Sequence, residues 1–296
     1  MAWELTIIGL YVYICQSYAR HLCGYAQRQS NNFQPDFTDE EVLTIYLFGI
    51  MRKCFELQAI YHYTHDHLRK WFPGLPSYQA YVARLNRLSD VFPPLVEHLL
   101  EDCPQPSLLR EVRLLDSLPI VMANAKRSGS ARVAAEFANK GYCASKDMYF
   151  YGVKLHVMAF RCPGTLPLPD QIRLAPASPH DLTIFREEFV PTLEGGALYV
   201  DKAYLDELLQ QQLYQEQHVV LWAPVKKAKH ATVVDAAAQL FSTAVSRVRQ
   251  PIEAFFSWLE QTTGIQRASK VRSLKGLLVH VFGRLAAAMC LLVFNP

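Results

Sequence analysis

The fold prediction begins with the stretch GGALYVDKAY, residues 195–204, and with the question of why a carboxylate ends a buried strand there. Its apolar run ends abruptly at Asp201, and a helix-like segment follows. A lone Asp at the end of a strand is usually a turn former or a helix N-cap. It gains a chemical meaning only if other carboxylates lie beside it. The remaining sequence therefore has to predict which strands would be its neighbours.

Five segments after residue 107 have the alternation, or the β-branched and aromatic content, that is typical of strands. They are REVRLLDSLPIVM (110–122), MYFYGVKLHVMAF (148–160), DQIRLAPA (170–177), GALYVD (196–201) and HVVLWAP (218–224). Helical patterns follow the third, fourth and fifth of them. Three consecutive strands favour an antiparallel meander, whereas the later ones need crossover helices. The order predicts an α/β fold with a mixed five-stranded sheet flanked by helices.

The first 107 residues read instead as an all-α domain. A capping box of Thr38 and Glu41 opens one helical pattern, and Ser77 is the predicted cap of another. The Pro-containing segment EDCPQPS marks the boundary between the two parts. We therefore predict a helical domain over 1–107 and an α/β domain over 108–296.

Composition narrows the class of protein. Of 296 residues, 51% are hydrophobic and the net charge is only +3, so a large core is expected and any nucleic-acid contact must come from local clusters. Seven cysteines without a CxxC pair indicate reduced thiols and a cytoplasmic protein. The apolar C-terminal stretch contains His280 and Arg284, which predicts a buried core helix and no membrane partner.

Three carboxylates fall at positions where this order of elements can bring them together. Asp116 lies in the first strand, Asp201 ends the fourth, and Glu253 lies in the long last helix. The first and fourth strands can be neighbours, and ligand sites collect at such strand ends. Converging carboxylates repel one another unless cations lie between them. Two Mg²⁺ or Mn²⁺ ions would suit an all-oxygen site and an in-line phosphoryl displacement.

Several of these segments, taken in order, resemble the bacterial insertion-sequence transposases that have a ribonuclease-H-like core and a DDE triad. They are LLDSLPI, YFYGVKLH, LYVDKAY, RQPIEAFFSWLE and RASKVRSLKGLLVHVFGRLAAAM, and they span roughly residues 110–290. The resemblance implies metal-dependent cleavage and strand transfer of DNA. It assigns the catalytic and metal-binding roles to Asp116, Asp201 and Glu253. It also implies a catalytic domain over 108–296 and a role in DNA-end binding or dimerisation for the helical domain over 1–107. It also implies double-stranded DNA as partner (terminal repeats and target), a homodimer, and a cytoplasmic, nucleoid-associated location in a bacterium.

The sequence departs from that family's pattern around the glutamate. Many relatives carry a Tyr and an Arg before the catalytic Glu and a Lys after it. Arg249 fills the Arg position, but Ser246 and Glu260 occupy the other two. Glu260 is therefore the rival for the third carboxylate. We favour Glu253, because Arg249 lies one helical turn before it and can reach a scissile phosphate.

Basic residues cluster after residue 225, where nine Lys and Arg up to residue 275 face only three acids. Such a cluster suits phosphate contacts, although a solvated loop and helix face is the alternative. A second basic stretch, 123–147, is read as a hairpin insert or an exposed loop. The predicted DNA-binding residues are Lys126, Arg127, Lys154, Lys226, Lys227, Lys229, Arg249, Lys270, Arg272 and Lys275.

Two alternatives to transposition stay open at this stage. One is a metal-dependent nuclease on the same core, which would cut DNA without joining it. The other is a decayed copy that binds DNA without catalysis. The three carboxylates argue against such a relic, whereas Ser246 and Glu260 leave room for it.

Overall fold

A computed structural model describes residues 3–26, 35–103, 111–143, 147–225 and 235–294. The chain divides into two compact units: Met1–Pro104 together with Leu259–Pro296, and Gln105–Trp258. This division differs at its C-terminal end from the predicted 1–107 and 108–296. Residues 259–296 belong to the same unit as the N-terminal helices.

Ten α-helices are present in the described residues. They are α1 (Trp3–Ser17), α2 (Asp39–Met51), α3 (Leu57–His67), α4 (Tyr78–Arg87), α5 (Phe92–Asp102), α6 (Ala125–Ser128), α7 (Asp181–Ile184), α8 (Glu207–Gln217), α9 (Ala236–Thr263) and α10 (Leu274–Phe294). The π and 3₁₀ turns Phe185–Phe189 and Val190–Thr192 extend α7.

The helical unit begins its helices where the sequence predicts. The Thr38 side chain accepts from the Glu41 amide, and the Glu41 carboxylate accepts from the Thr38 amide at 2.6 Å, which forms the predicted capping box at α2. Ser77 caps α4 by accepting from the Ala80 amide. These bonds satisfy backbone donors that have no partner within the helix.

Helix α10 is the apolar C-terminal segment, and it packs on α2 and α5 in the helical unit. Among the described residues it alone is long and apolar enough to cross a membrane, with a hydropathy of 2.2, yet 67% of that window is buried inside the protein. Arg284 is only 6% exposed, and its guanidinium donates to the carbonyls of Phe55 and Thr263. Helix α10 thus has the burial predicted for a core helix.

The α/β unit contains one curled mixed sheet. Its strands are β1 (Val112–Asn124), β2 (Asn139–Cys143), β3 (Met148–Phe160), β4 (Leu168–Pro176), β5 (Gly196–Tyr199) and β6 (Val219–Trp222). The order is β2-β3-β1-β5-β6, and β4 also pairs with β3. Strand β1 is antiparallel to β3 but parallel to β5, and β5 is parallel to β6. The first and fourth predicted strands are therefore neighbours.

The predicted count of five strands is wrong, because the described residues form six. The additional strand, β2, lies in the basic stretch that was read as a hairpin insert or loop. It pairs with the first residues of β3, and β4 pairs with the rest of β3 on the same side. Gly141 in β2 approaches so closely that a Cβ there would lie 2.2 Å from the Ala177 carbonyl oxygen. The residues of β2, NKGYC, show no alternation of apolar and polar side chains, so their pairing with β3 is not visible in the sequence.

Gly283 gives a test of the packing of α10 on the other helices of its unit. A Cβ at Gly283 would lie 2.5 Å from Cε1 of Tyr46 and 3.2 Å from Cε1 of Phe92. We predict that Gly283→Ala lowers the free energy of unfolding by about 1–3 kcal/mol, because two buried rings must move. Urea unfolding followed by circular dichroism measures this change.

The matched control is Gly9→Ala in α1, where a Cβ would meet nothing within 4 Å. Alanine favours a helix interior over glycine by roughly 1 kcal/mol, so this variant should be as stable as the wild type or more so. Equal stability of the two variants would contradict close packing at Gly283.

Candidate active site

The pairing of β1 with β5 determines where the two aspartates lie. Leu114 is opposite Tyr199 in the parallel register. Two residues further along each strand direction come Asp116 and Asp201, and a shift of two residues keeps a side chain on the same face. The two carboxylates therefore leave neighbouring strands at the same level and on the same side of the sheet.

Helix α9 brings the third carboxylate and an arginine to this point. Arg249 and Glu253 are one turn apart on α9, so they share a face of the helix. Arg249 Nη1 donates to Asp116 Oδ2 at 2.7 Å, and Arg249 Nη2 donates to Glu253 Oε1 at 2.5 Å. One guanidinium thus connects the central strand to the last helix of the unit.

The electrostatics place Asp201 in the same cluster. Burial raises the pKa of Asp116 to about 6, Arg249 opposes this shift, and the negative charges of Asp201 and Glu253 add to it. Burial alone would lower the pKa of Arg249, but Asp116, Glu253 and Asp201 raise it above its ordinary value. Three acids and one base therefore interact with one another. The structure brings together the three predicted catalytic carboxylates and Arg249.

The donor set of this cluster fits a divalent cation in its chemistry. Carboxylate oxygens are the ligands that Mg²⁺ and Mn²⁺ prefer, and the three acids already share a positive charge from Arg249. In the described residues, however, no three His, Cys, Asp or Glu side chains have the arrangement of a metal site. With the guanidinium bonded to Asp116 and Glu253, the carboxylates form an ion-pair cluster and not a metal cage.

Glu260, the rival third carboxylate, has other partners. It accepts from the Gln266 amide at 2.8 Å and lies 3.5 Å from Nε of Arg267. These residues belong to the helical unit, whereas Asp116 and Asp201 belong to the α/β unit. The hydrogen bond of Glu260 supports the turn after α9.

Lys154 directs its ammonium into the protein. Its side chain is only 13% exposed, and Nζ donates to Asp181 Oδ1 at 2.8 Å and to the Pro179 carbonyl at 3.2 Å. The N-cap of α7 is the imidazole of His180, which accepts from the Leu182 amide. The carboxylate of Asp181 is thereby left for Lys154 and for Ser117, whose Oγ donates to it at 3.1 Å.

Five of the other predicted DNA-binding residues lie in the part of the chain that the structure describes. Lys126 and Arg127 are exposed on α6, in the α/β unit. Exposed positions of the helical unit hold Lys270, Arg272 and Lys275, and Lys270 forms a 2.6 Å ion pair with Glu56. Lys226, Lys227 and Lys229 lie outside the described residues.

An open groove on α9 was missed by the sequence reasoning. Its volume is about 420 Å³, and its lining includes Gln239, Ser242, Thr243, Ser246, Arg247, Arg249, Gln250 and Glu253. These residues recur every three or four positions, which is the periodicity of one polar helix face. That periodicity was the signal in the sequence. The groove ends at the two α9 residues that belong to the carboxylate cluster.

Comparison with known proteins gives one match. Residues 107–273, more than half of the chain, match the family model described as a transposase DDE domain. The matched range includes Asp116, Asp201 and Glu253. Neither the curated proteins nor the solved structures contain a match to this chain.

The raised pKa of Asp116 predicts a pH-dependent effect on stability. A carboxyl group whose pKa rises on folding, here from 3.8 to about 6, stabilises the protein fully below pH 3.8, and this contribution is lost as the pH rises through 6. We predict that Asp116→Asn unfolds like the wild type near pH 3.8. At pH 7.5 in EDTA it should be more stable, by at most about 3 kcal/mol.

Thermal unfolding of both proteins over this pH range measures the difference. Glu136→Gln, which removes an exposed carboxylate from the same unit, is the control and should show no such pH-dependent gain. A wild type that is more stable than Asp116→Asn at pH 7.5 in EDTA would contradict the destabilising environment of Asp116.

Proposed function

The chain belongs to the DDE transposase family, and we propose that it catalyses metal-dependent cleavage of DNA at the ends of a bacterial insertion sequence and transfer of the cut strands. The observation that carries this proposal is the convergence of Asp116, Asp201 and Glu253 around Arg249. The family supports a transposase acting on DNA. The carboxylate cluster supports these residues as its reactive site.

We also propose that the α/β unit is a ribonuclease-H-like core. The first Asp lies on a long central strand that is antiparallel to one neighbour and parallel to the other. The second Asp follows the parallel neighbour, and the Glu lies on a helix of the same unit. This placement supports a site assembled from two rigid strands and one helix.

In this mechanism Asp116, Asp201 and Glu253 would hold Mg²⁺ or Mn²⁺. Two such ions would supply an activated oxygen nucleophile and charge compensation for the leaving oxygen. The chain itself contributes position and charge. The strands fix the two Asp carboxylates, and Arg249 moves from its carboxylate partners to a non-bridging oxygen of the scissile phosphate. Positioning and electrostatic stabilisation are most of what phosphoryl transfer requires.

Double-stranded DNA is the proposed partner, as transposon ends and as target. The α9 groove offers hydroxyl and guanidinium donors to the phosphates of a DNA backbone beside the carboxylates. These donors belong to Ser242, Thr243, Ser246 and Arg247. The exposed basic residues on α6 and after α9, with Lys226, Lys227 and Lys229 from the sequence, would add phosphate contacts and make binding salt-dependent. Because two transposon ends must be paired, the active form would be a homodimer. It would act in the bacterial cytoplasm, at the nucleoid.

A nuclease on the same core would share every feature above except the joining step. An assay with pre-cut ends and a supercoiled target plasmid separates the two functions, because only a transposase yields joined products. A relic that binds DNA without catalysis would show no carboxylate-dependent Mn²⁺ binding in calorimetry.

We predict that Asp116→Asn, Asp201→Asn and Glu253→Gln each abolish cleavage of a DNA end in Mg²⁺, with a loss of at least about 10³-fold. Each substitution removes one anionic ligand and keeps the shape of the side chain. Cleavage by the wild type should also stop in EDTA. Gel assays measure the rates, and a mobility shift in EDTA should show that DNA binding persists.

Glu260→Gln is the matched control, since it removes the same charge from the same helix and keeps an acceptor for the Gln266 amide. We expect it to cleave within about threefold of the wild type. Loss of cleavage in Glu260→Gln together with activity in Glu253→Gln would reverse the assignment of the third carboxylate.

A further inference from the structure

The backbone amide next to Asp116 is the first element of a supporting network. The Glu111 carbonyl accepts from the Ala197 amide, so odd-numbered residues of β1 direct their backbone groups towards β5. Strand β5 ends at Tyr199, before it reaches the level of Ser117. The Ser117 amide therefore has no partner on β5, and it donates to Asp116 Oδ1 at 2.8 Å.

The hydroxyl of Ser117 is held in turn from α7. Ser117 Oγ donates to Asp181 Oδ2 at 3.1 Å, and Lys154 Nζ donates to the other oxygen, Asp181 Oδ1, at 2.8 Å. Both charged side chains are largely buried, with exposed fractions of 13% for Lys154 and 21% for Asp181. Solvent therefore competes weakly with these bonds, and the ion pair is a fixed anchor for Ser117.

Two other buried side chains enclose this network. His156 lies opposite Ser117 on β3 and is fully buried, and Tyr204 is 1% exposed. The Tyr204 hydroxyl is close enough to Asp181, Asp116 and Ser117 for them to affect its pKa, although it makes no hydrogen bond of normal geometry. The network is thus a mostly buried polar layer beside the carboxylate cluster.

We propose that Asp181, held by Lys154, is a positioning residue that acts on Asp116 through Ser117. Where β1 continues beyond the end of β5, the bond from Ser117 to Asp181 replaces the missing strand as a restraint on the backbone. The Ser117 amide then keeps Oδ1 of Asp116 in place, and Oδ2, which accepts from Arg249 here, would face a cation once Arg249 moves to the phosphate. This inference rests on the proposed function, because it presumes that Asp116 is the catalytic carboxylate.

The primary test compares Ser117→Ala with Ser117→Thr. The alanine variant loses the bond to Asp181 and keeps the amide, whereas threonine keeps the hydroxyl. Loss of a group that orients a metal ligand typically reduces metal affinity or activity by about 10- to 100-fold. We expect a loss of that size for Ser117→Ala, in the single-turnover cleavage rate at saturating DNA and in the Mn²⁺ affinity measured by calorimetry. Ser117→Thr should stay within about threefold of the wild type.

A purely structural role would not produce that pattern. Ser178→Ala is the matched control: it removes a 2.8 Å hydrogen bond that Asn139 donates, in the same unit, and it removes none of the bonds among Ser117, Lys154 and Asp181. It should leave the cleavage rate unchanged. Thermal unfolding and DNA affinity should be the same for all three Ser variants. Normal cleavage by Ser117→Ala would overturn the proposal. So would a loss of cleavage in Ser117→Thr and Ser178→Ala as large as the loss in Ser117→Ala.

A double-mutant cycle tests the path from Asp181 to Ser117. Asp181→Leu removes both acceptor oxygens, but alone it leaves a buried lysine without its counter-ion, so it is combined with Lys154→Met to keep the unit folded. If Asp181 acts through Ser117, adding Ser117→Ala to this pair should slow cleavage by less than about twofold more. If the losses of cleavage rate from Ser117→Ala and from the double variant multiply, Asp181 does not act through Ser117. Asp116→Asn in the same assay separates the positioning role from the proposed function. If Asp116→Asn cleaves normally, the proposed function fails. If Asp116→Asn is inactive and Ser117→Ala cleaves normally, only the positioning role fails.

Discussion

The short parallel pairing between β1 and β5 is the constraint on which the reactive site depends. It ends with Leu114 opposite Tyr199, and the next residues on the same face are the two aspartates. A slip of one residue would turn one of them to the other side of the sheet. The positions of both aspartates therefore depend on the register of β1 and β5 more than on any single side-chain contact. Burial of apolar residues on the sheet, such as Leu198 and Val200, holds that register.

The carboxylate cluster destabilises the folded state of the α/β unit. The side chain of Asp116 is only 21% exposed and lies beside two other acids, so its negative charge is unfavourable and its pKa is raised. Arg249 compensates part of this repulsion by bonding to Asp116 and Glu253. Active sites commonly reduce the stability of the fold that carries them, because the groups needed for reaction are not those that would pack best. The one guanidinium links the stability of the unit to its chemistry.

Much of this arrangement follows from the sequence, for physical reasons. Alternation and β-branched or aromatic content identify five of the strands, and the mixed connectivity allows the strands of Asp116 and Asp201 to be neighbours, as the pairing of β1 with β5 confirms. Strand β2 was missed because its residues, NKGYC, show no alternation of apolar and polar side chains. The association of residues 259–296 with the N-terminal helices was missed too, since local periodicity shows that a helix is apolar but not what it packs against. The partners of Asp181 likewise depend on pairings distant in sequence.

The helical unit is discontinuous along the chain, and this has a consequence for how the protein is made. Its first five helices leave the ribosome long before α10, whose apolar faces complete their core. The α/β unit, by contrast, is one continuous segment. Translation at ~5–20 residues per second separates the two ends of the helical unit by tens of seconds. During that interval the nascent N-terminal helices lack the apolar surface of α10 that later covers them, whereas the segment that carries the aspartates is already complete.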